Sequence, residues 1–394
     1  MIRVALIGIS GYGQTHLRLI EEQVHAGRLR LASVVAPSGT PDDALAQAHA
    51  LGARVYPDFA TWLEAERGAF DLCFLPIPIH LHASMASAVL DAGASVMVEK
   101  PLAASAEDIA TLLAARPAPG RFVAVGFQDL HLPEAHSLRS AFSRGDYGAL
   151  RSMSVLGLWS RGESYYGRNS WAGRLRVANG MVLDSPLNNA FAHFVMLPLF
   201  LASRAPDEAA QPFAGEAELY RTRQIESFDT AALRLRLPGD VTLQVHVTHR
   251  CEGEEDPVIQ LVCEKAVIRW TANRDIRIRW HHGAETRHPL PDLAATRRHH
   301  FLSLCRRAQG EDVWVCPPAI AAAHSRLVVA LHAALPIHDL APATHASIAD
   351  TLRDSLSCGR LPSESAANWA RPAMPFVIPG DGRVEPARIG LAAV

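Results

Sequence analysis

The chain has 394 residues, more than one hydrophobic core usually holds, so two domains are the first expectation. Lys and Arg total 38 against 40 Asp and Glu, a balance that supplies no field for nucleic acid or an anionic membrane, and 49% hydrophobic residues exclude a mostly disordered chain. Six scattered cysteines without a C-x-x-C pair argue for reduced thiols, and no apolar stretch reaches membrane-spanning length, so a soluble, cytoplasmic protein is expected.

The opening "MIRVALIG" is already a strand and leaves no room for a cleaved leader. It runs into "ISGYGQTHLRLI", a glycine turn followed by a helix. Gly8 permits the tight turn and Gly13 lets helix pack closely on strand, while the helix N-terminus offers amides and a positive dipole end to a pyrophosphate. Ser10 replaces the middle glycine of G-x-G-x-x-G, with Gly11 following. Short apolar runs then alternate with helical segments as far as residue 126: "LRLASVVA", "DLCFLP", "ASVMVE" and "RFVAVGF". Apolar strands spaced by helices predict an α/β Rossmann domain, a doubly wound parallel sheet, over 1–126. After the second strand, Ser38 is a candidate ribose partner, but neither an acidic residue nor an arginine decides between NAD and NADP. His80 reads as a polar loop residue; His82 opens a helix at the carboxyl edge of the sheet, where ligands bind in such folds.

Beyond about residue 150 the period becomes two. Leu233, Leu235 and Leu237 alternate with arginines, Pro-Gly-Asp turns the chain, and Val241, Leu243, Val245 and Val247 alternate in return. This predicts an α+β domain with an open, mainly antiparallel sheet over 127–345, framed by helices at "AFAHFVMLPLFLA", "RRHHFLSLCRRA" and "AIAAAHSRLVVALHAAL". Residues 346–394 form a C-terminal extension that ends in an irregular Pro- and Gly-rich tail; Trp369, Phe376 and Ile378 predict that it packs on the body.

Four stretches together resemble the Gfo/Idh/MocA oxidoreductases: "GISGYG", "PIPIHLH", "VEKPLA" with its Glu-Lys-Pro, and "GFQDLHLP". The resemblance covers the chain to about residue 335. It implies a Rossmann domain holding NAD or NADP, a second domain taking a sugar-like or cyclitol substrate, and assembly into homodimers or homotetramers through the open sheet. It also implies that Lys100 hydrogen-bonds the reacting oxygen, and this accounts for a lysine at the end of an apolar strand, where an unpartnered amine would be costly. The expected cofactor set is Gly8, Ser10, Gly11, Tyr12, Gly13, Ser38, Pro78, His82, Glu99, Lys100 and Gln128.

"VLDSPLNNAFAHF" is similar to the family's D-x-G-x-H. Asp184 fits the aspartate, but Asn188 stands at the histidine position and cannot titrate, which leaves it an orienting role. His193 is the nearest titratable substitute and, on a helix, shares a face with Asn189. Ser185 and Pro186 predict the start of that helix. The preceding "SRGESYYGRNSWAGRL" is dense in aromatic rings and donors, which suits a polyhydroxylated ring, and His249 ends a strand that could line the same pocket. The candidate substrate residues are Tyr166, Arg168, Trp171, Asn189 and His249; for His249 an ordinary exposed histidine is the competing expectation. No nucleophile motif appears, and no metal is expected, since the paired histidines at 281–282 and 299–300 diverge. The function read from the sequence is hydride transfer to or from a sugar, keto-sugar or cyclitol. A redox-neutral glycoside-cleaving enzyme with tightly held NAD and a non-catalytic binding protein are the alternatives.

Overall fold

The structure is a computed structural model and describes residues 1–365 and 367–379. By its internal contacts the chain divides into two units. The first comprises Met1–Ala103, Glu107–Leu132 and Ala294–Ala322; the second comprises Ala104–Ala106, Pro133–Leu293 and the chain from Ala323 onward.

The first unit is built on six parallel strands: β1 (Ile2–Ile7), β2 (Leu29–Val35), β3 (Arg54–Tyr56), β4 (Leu72–Leu75), β5 (Ser95–Val98) and β6 (Val123–Val125). Their order, β3-β2-β1-β4-β5-β6, reverses direction between β1 and β4, the switch point at which α/β sheets open a crevice at their carboxyl ends. Every residue of β4 and β5 is buried, as continuous apolar strands covered on both faces require. Helix α1 (Gly13–His25) follows β1, and α2 (Asp42–Ala50), α3 (Phe59–Glu66), α4 (His82–Asp91) and α5 (Ala106–Ala114) follow in turn.

The sequence reading assigns "RRHHFLSLCRRA" to the frame of the second sheet; the structure corrects this. Phe301, Leu304 and Cys305 lie in the core of the first unit with Leu6, Leu17 and Phe74, and the Phe74 and Phe301 rings stack with centroids 5.0 Å apart. Periodicity reveals that a helix face is buried but not which sheet buries it.

In the second unit, helix α6 (Pro133–Arg144) leads into a large sheet. Its strands are β7 (Leu150–Trp159), β10 (Ala214–Arg221), β11 (Thr230–Leu237), β12 (Val241–Thr248), β13 (Glu254–Cys263), β14 (Ala266–Thr271), β15 (Asp275–Trp280), β16 (Glu285–Pro289), β17 (Ile337–Asp339) and β18 (Met374–Val377). The order is β16-β15-β14-β13-β7-β12-β11-β10-β17, with β18 also on β10, and a separate two-residue hairpin joins β8 (Arg176–Val177) to β9 (Gly180–Met181). Pairing is antiparallel except β7 with β12 and β10 with β17. The apolar positions meet across the predicted turn, Leu233 opposite Val245, Leu235 opposite Leu243 and Leu237 opposite Val241.

The far face of β12 is also covered. Helix α11 (Ile348–Ser357), after α7 (Glu163–Tyr166), α8 (Ala192–Ala202), α9 (Leu293–Ala308) and α10 (Pro318–Ala334), brings Ile348 and Leu352 against Leu158, Tyr220 and Ala232, together with Leu361 and Trp369. His246 Nδ1 donates to the Leu352 carbonyl at 3.0 Å, a contact for a polar residue that alternation alone would leave in solvent. The extension is therefore not wholly irregular: β18 pairs β10 from Ala214 to Ala217, and Phe376 and Ile378 are buried. Residues 380–394 of the expected tail lie outside the described residues. Among the described residues no helix is long and apolar enough to cross a membrane.

Trp369 sits edge-on to Tyr220 with ring centroids 5.1 Å apart. Trp369→Ala should cost about 3–5 kcal/mol, read as a drop in the urea midpoint at unchanged m-value; an unchanged midpoint would show that this segment is dispensable.

Candidate active site

In the first unit the glycine turn is shaped as a cofactor cradle demands. Gly8 (φ +91°) and Gly11 (φ +55°) take left-handed conformations. A Cβ on Gly13 would fall 2.2 Å from the Gly8 carbonyl oxygen, so only glycine lets α1 lie this close to the end of β1. No side chain caps α1, which leaves its amino end open toward an anion. These features fit a dinucleotide. Ser10 and Ser38 are exposed on their turns, and Pro78 precedes a single helical turn over Ile79–Leu81. His82 is fully buried, and carbonyls of Ile77, Pro101 and Leu102 surround its ring at 3.0 to 3.3 Å. Those contacts brace the start of α4 against the Lys100-Pro101 segment.

Glu99 follows β5 and is buried. Its Oε1 is 2.8 Å from His16 Nε2, and its Oε2 accepts the Lys100 backbone N–H at 3.2 Å. Burial alone would raise its pKa; the His16 hydrogen bond and the charges of His16, Lys100 and His300 outweigh it and hold the carboxyl at about 2. Lys100 itself is partly buried, with a cis bond to Pro101. A small cavity opens here, lined by Tyr12, His16, Glu99, Gln128, Arg297 and His300 among others. Gln128 is thus placed beside Glu99, and Tyr12 lies under the Arg297 guanidinium, 5.4 Å from its ring centroid. Sequence reasoning missed His16, Arg297 and His300. The i+3 spacing from Gly13 to His16 carried no signal, and α9 was assigned elsewhere.

In the second unit Asp184 is 2% exposed. Its Oδ2 accepts the Gly173 N–H at 2.6 Å and stands 3.9 Å from Arg168 Nη2, and its Oδ1 accepts from Asn189 Nδ2 at 3.0 Å. The preceding Leu183 is forced to φ +46° by paired bonds from Val182 N and Leu183 N to the Leu175 carbonyl, a strained arrangement for a residue with a branched side chain. Asn188 faces another way: its Nδ2 donates to the Val182 carbonyl at 3.1 Å and it is fully buried. The neighbour, Asn189, is the one that touches Asp184. The expected helix start at Ser185 is also corrected. Ser185 Oγ accepts from Asn188 N at 3.2 Å, but turns continue to Phe191 and α8 begins at Ala192, with the Asn188 side chain turned back to the Val182 carbonyl. His193 therefore stands in the first turn of α8, partly buried, 6.4 Å from the Phe194 ring.

The aromatic loop gathers around His249. Tyr166 Oη is 2.8 Å from His249 Nδ1, and Tyr165 lies edge-on to both rings. Arg168 stacks 3.7 Å over Tyr165 and 5.1 Å from Trp171, linking the rings to Asp184. His249 is 1% exposed, against the expectation of an ordinary exposed histidine, since α7 and Phe191 close over the end of β12. Burial, with Arg161, Arg223 and Arg168 nearby, pushes its pKa well below the usual value. Each of these arginines has an acidic partner: Arg168 with Asp184, Arg223 with Asp229 at 3.0 Å, and Arg161 with Glu254. The cluster offers ring faces and a neutral imidazole rather than net positive charge. Among the described residues no group of His, Cys, Asp and Glu is arranged to hold a metal.

Residues 2–127 match the family model of an oxidoreductase family with an NAD-binding Rossmann fold, GFO_IDH_MocA. The match covers the first unit's amino-terminal part, about a third of the chain. Among curated proteins it is similar to the dTDP-3,4-didehydro-2,6-dideoxy-alpha-D-glucose 3-reductases of Streptomyces violaceoruber, 29% identical over 39% of this chain and 44% of that one, and of Streptomyces antibioticus, 30% identical over 27% and 32%. The matched stretches span less than half the length of these relatives. Among solved structures it is similar in fold to the WlbA dehydrogenase of Bordetella pertussis in complex with NADH and UDP-GlcNAcA, with TM-score 0.68 and 22% identity over 84% of this chain and 95% of that one. A levoglucosan dehydrogenase in complex with NADH and levoglucosan aligns with TM-score 0.65 and 16% identity over 83% and 94%. The chain thus joins a stretch that matches an NAD-binding Rossmann family to a second unit built on a large mixed sheet, and its fold is similar to those of these dehydrogenases.

Burial gives the chain a pH signature. His82, His246, His249 and His332 are all held below their ordinary value of 6.5, His246 and His332 at about 4, and burial is the first cause in each. Each stays neutral when folded and takes up a proton when unfolded. Stability is therefore full above pH 6.5 and falls as pH drops below it, by up to about 1.4 kcal/mol per pH unit for each ring. Urea midpoints measured from pH 7.5 downward should fall, with a shallower slope in His249→Gln; equal slopes would mean that His249 titrates freely.

Proposed function

We propose that this chain is an NAD(P)-dependent oxidoreductase acting on a CH–OH or carbonyl carbon of a sugar, keto-sugar or cyclitol, with nucleotide-linked keto-hexoses as the first candidates. The observation that carries the reading is the gathering of Tyr165, Tyr166, Trp171 and His249, joined through Arg168 to the buried Asp184, in a chain whose other unit belongs to an NAD-binding family. Ring faces bind the apolar face of a pyranose or cyclitol, and the flanking donors and acceptors select its hydroxyls. The sugar-nucleotide class is supported by the names of the curated relatives and by the UDP-sugar in the WlbA complex.

Gly8, Gly11 and Gly13 with the amino end of α1 would hold the pyrophosphate, and Gln128 and the Glu99-Lys100 segment line the carboxyl end of the sheet. When bound, the nicotinamide supplies or accepts the hydride. Lys100 is assigned the proton: its ammonium donates to the substrate oxygen in reduction, and its amine receives the hydroxyl proton in oxidation. Asp184, held by Gly173 and Asn189, accepts a substrate hydroxyl. Asn188 takes no proton, so His193 or Tyr166 is the proposed titratable substitute for the family histidine. A homodimer or homotetramer in the cytoplasm is part of the same proposal.

Following NADH and NADPH absorbance against a panel of nucleotide-linked and free keto-sugars and inositols tests it. Lys100→Ala should lower kcat by about 10²–10⁴-fold with little change in NADH affinity. Turnover that survives in this variant would remove Lys100 from the chemistry.

A further inference from the structure

Helix α9 carries four arginines, and three of them meet a carboxylate: Arg298 pairs with Glu22 at 2.9 Å, Arg306 with Glu311 at 2.7 Å and Arg307 with Asp312 at 3.0 Å. Among the described residues no carboxylate is paired with Arg297. Its guanidinium lies 5.4 Å from the ring centroid of Tyr12, the residue that precedes α1, and its Nε is buried without a hydrogen-bond partner. A partly buried cation that meets only a ring face lacks the charged acceptor that usually offsets its desolvation.

The helix dictates this placement. Positions 297, 300, 301 and 304 share one face, and Phe301 and Leu304 seat that face in the core of the first unit, where Phe301 stacks on Phe74 of β4. Arg297, one turn earlier, is thereby brought to the small cavity that Tyr12, His16, Glu99, Gln128 and His300 also line. Arg298 ties the same helix to Glu22 near the carboxyl end of α1, so α9 is held at both ends of α1. The glycine turn itself carries no compensating cation: from Gly8 to Thr15 the chain has no basic side chain. The open amides and dipole of α1 offer roughly half a unit of positive charge to a pyrophosphate that brings two negative ones. A guanidinium adds a full charge and two parallel donors.

We propose that Arg297 is a cofactor-binding residue whose guanidinium pairs with the pyrophosphate of the dinucleotide, and that Tyr12 is the ring on which it rests until the cofactor arrives. The proposal rests on the first unit holding NAD or NADP and is independent of the sugar. It gives α9 a task in the cradle: a helix that follows the large sheet in the chain returns to the first unit and supplies the charge that the glycine turn lacks.

Binding to the full-length protein tests this without turnover. NADH or NADPH, whichever the parent holds more tightly, is titrated by nicotinamide fluorescence, and the matching ADP-ribose or its 2′-phosphate, which keeps the pyrophosphate and lacks the nicotinamide, by calorimetry. Arg297→Met should weaken both ligands by the same factor, about tenfold or more, and should flatten the rise of Kd with added salt. Arg297→Gln, which keeps a polar group and loses the charge, should do the same and decides by the same criterion if Arg297→Met does not fold. Affinities equal to the parent's would overturn the proposal. A loss confined to the complete dinucleotide would overturn it too, since the guanidinium would then serve the nicotinamide end. A parent that binds none of these ligands would overturn the cofactor reading and this proposal with it, whereas binding without turnover on any sugar would count against the proposed reaction alone.

Discussion

The geometry of the first unit depends on a side chain that is missing at residue 13. With no Cβ to meet the Gly8 carbonyl, α1 comes down onto the end of β1. One turn further on, the same close approach carries His16 to within hydrogen-bond distance of Glu99, at the end of a different strand. Cradle and carboxylate anchor are thus two results of one packing distance. A larger residue would push the helix outward and separate both at once.

The second unit solves a different problem, holding charged side chains in a largely buried aromatic cluster. It does so by local pairing. Arg168 lies between Tyr165 and Asp184, Arg223 between Tyr166 and Asp229, so each guanidinium has a ring face on one side and a carboxylate on the other. The strained Leu183 fixes the backbone from which Asp184 projects. Strain at this point, next to a buried acid of the cluster, matches the expectation that irregular backbone collects where a site must be held rigid.

Much of this was legible in the sequence, and the failures have physical causes. Strand alternation identified β11 and β12 because one face of each is apolar, and the glycine turn identified the cradle because only glycine tolerates its φ angles. Tyr166, Arg168 and Trp171 came from composition: a loop that dense in rings and donors is costly to leave without a partner surface. The membership of α9 was not legible, since an amphipathic helix announces a buried face without naming its partner. Nor was the exchange between Asn188 and Asn189. Spacing along an ideal helix places one of them beside Asp184, but the backbone there runs through turns, and the rotation differs by about one residue. His249 was left between pocket and solvent because alternation treats the second face of a strand as wet, and here α7 and Phe191 cover it.

That covering has a further consequence at the margin of the large sheet. Beyond β10 the rim is shared by two short strands, β17 and β18, one parallel and one antiparallel, and at the opposite rim β16 is fully exposed, charged, and ends at Pro289. Among the described residues neither rim presents a long, flat row of free amides. Crowded copies of this chain would find no template on which to zip together, so its broad sheet carries little risk of nucleating fibrils.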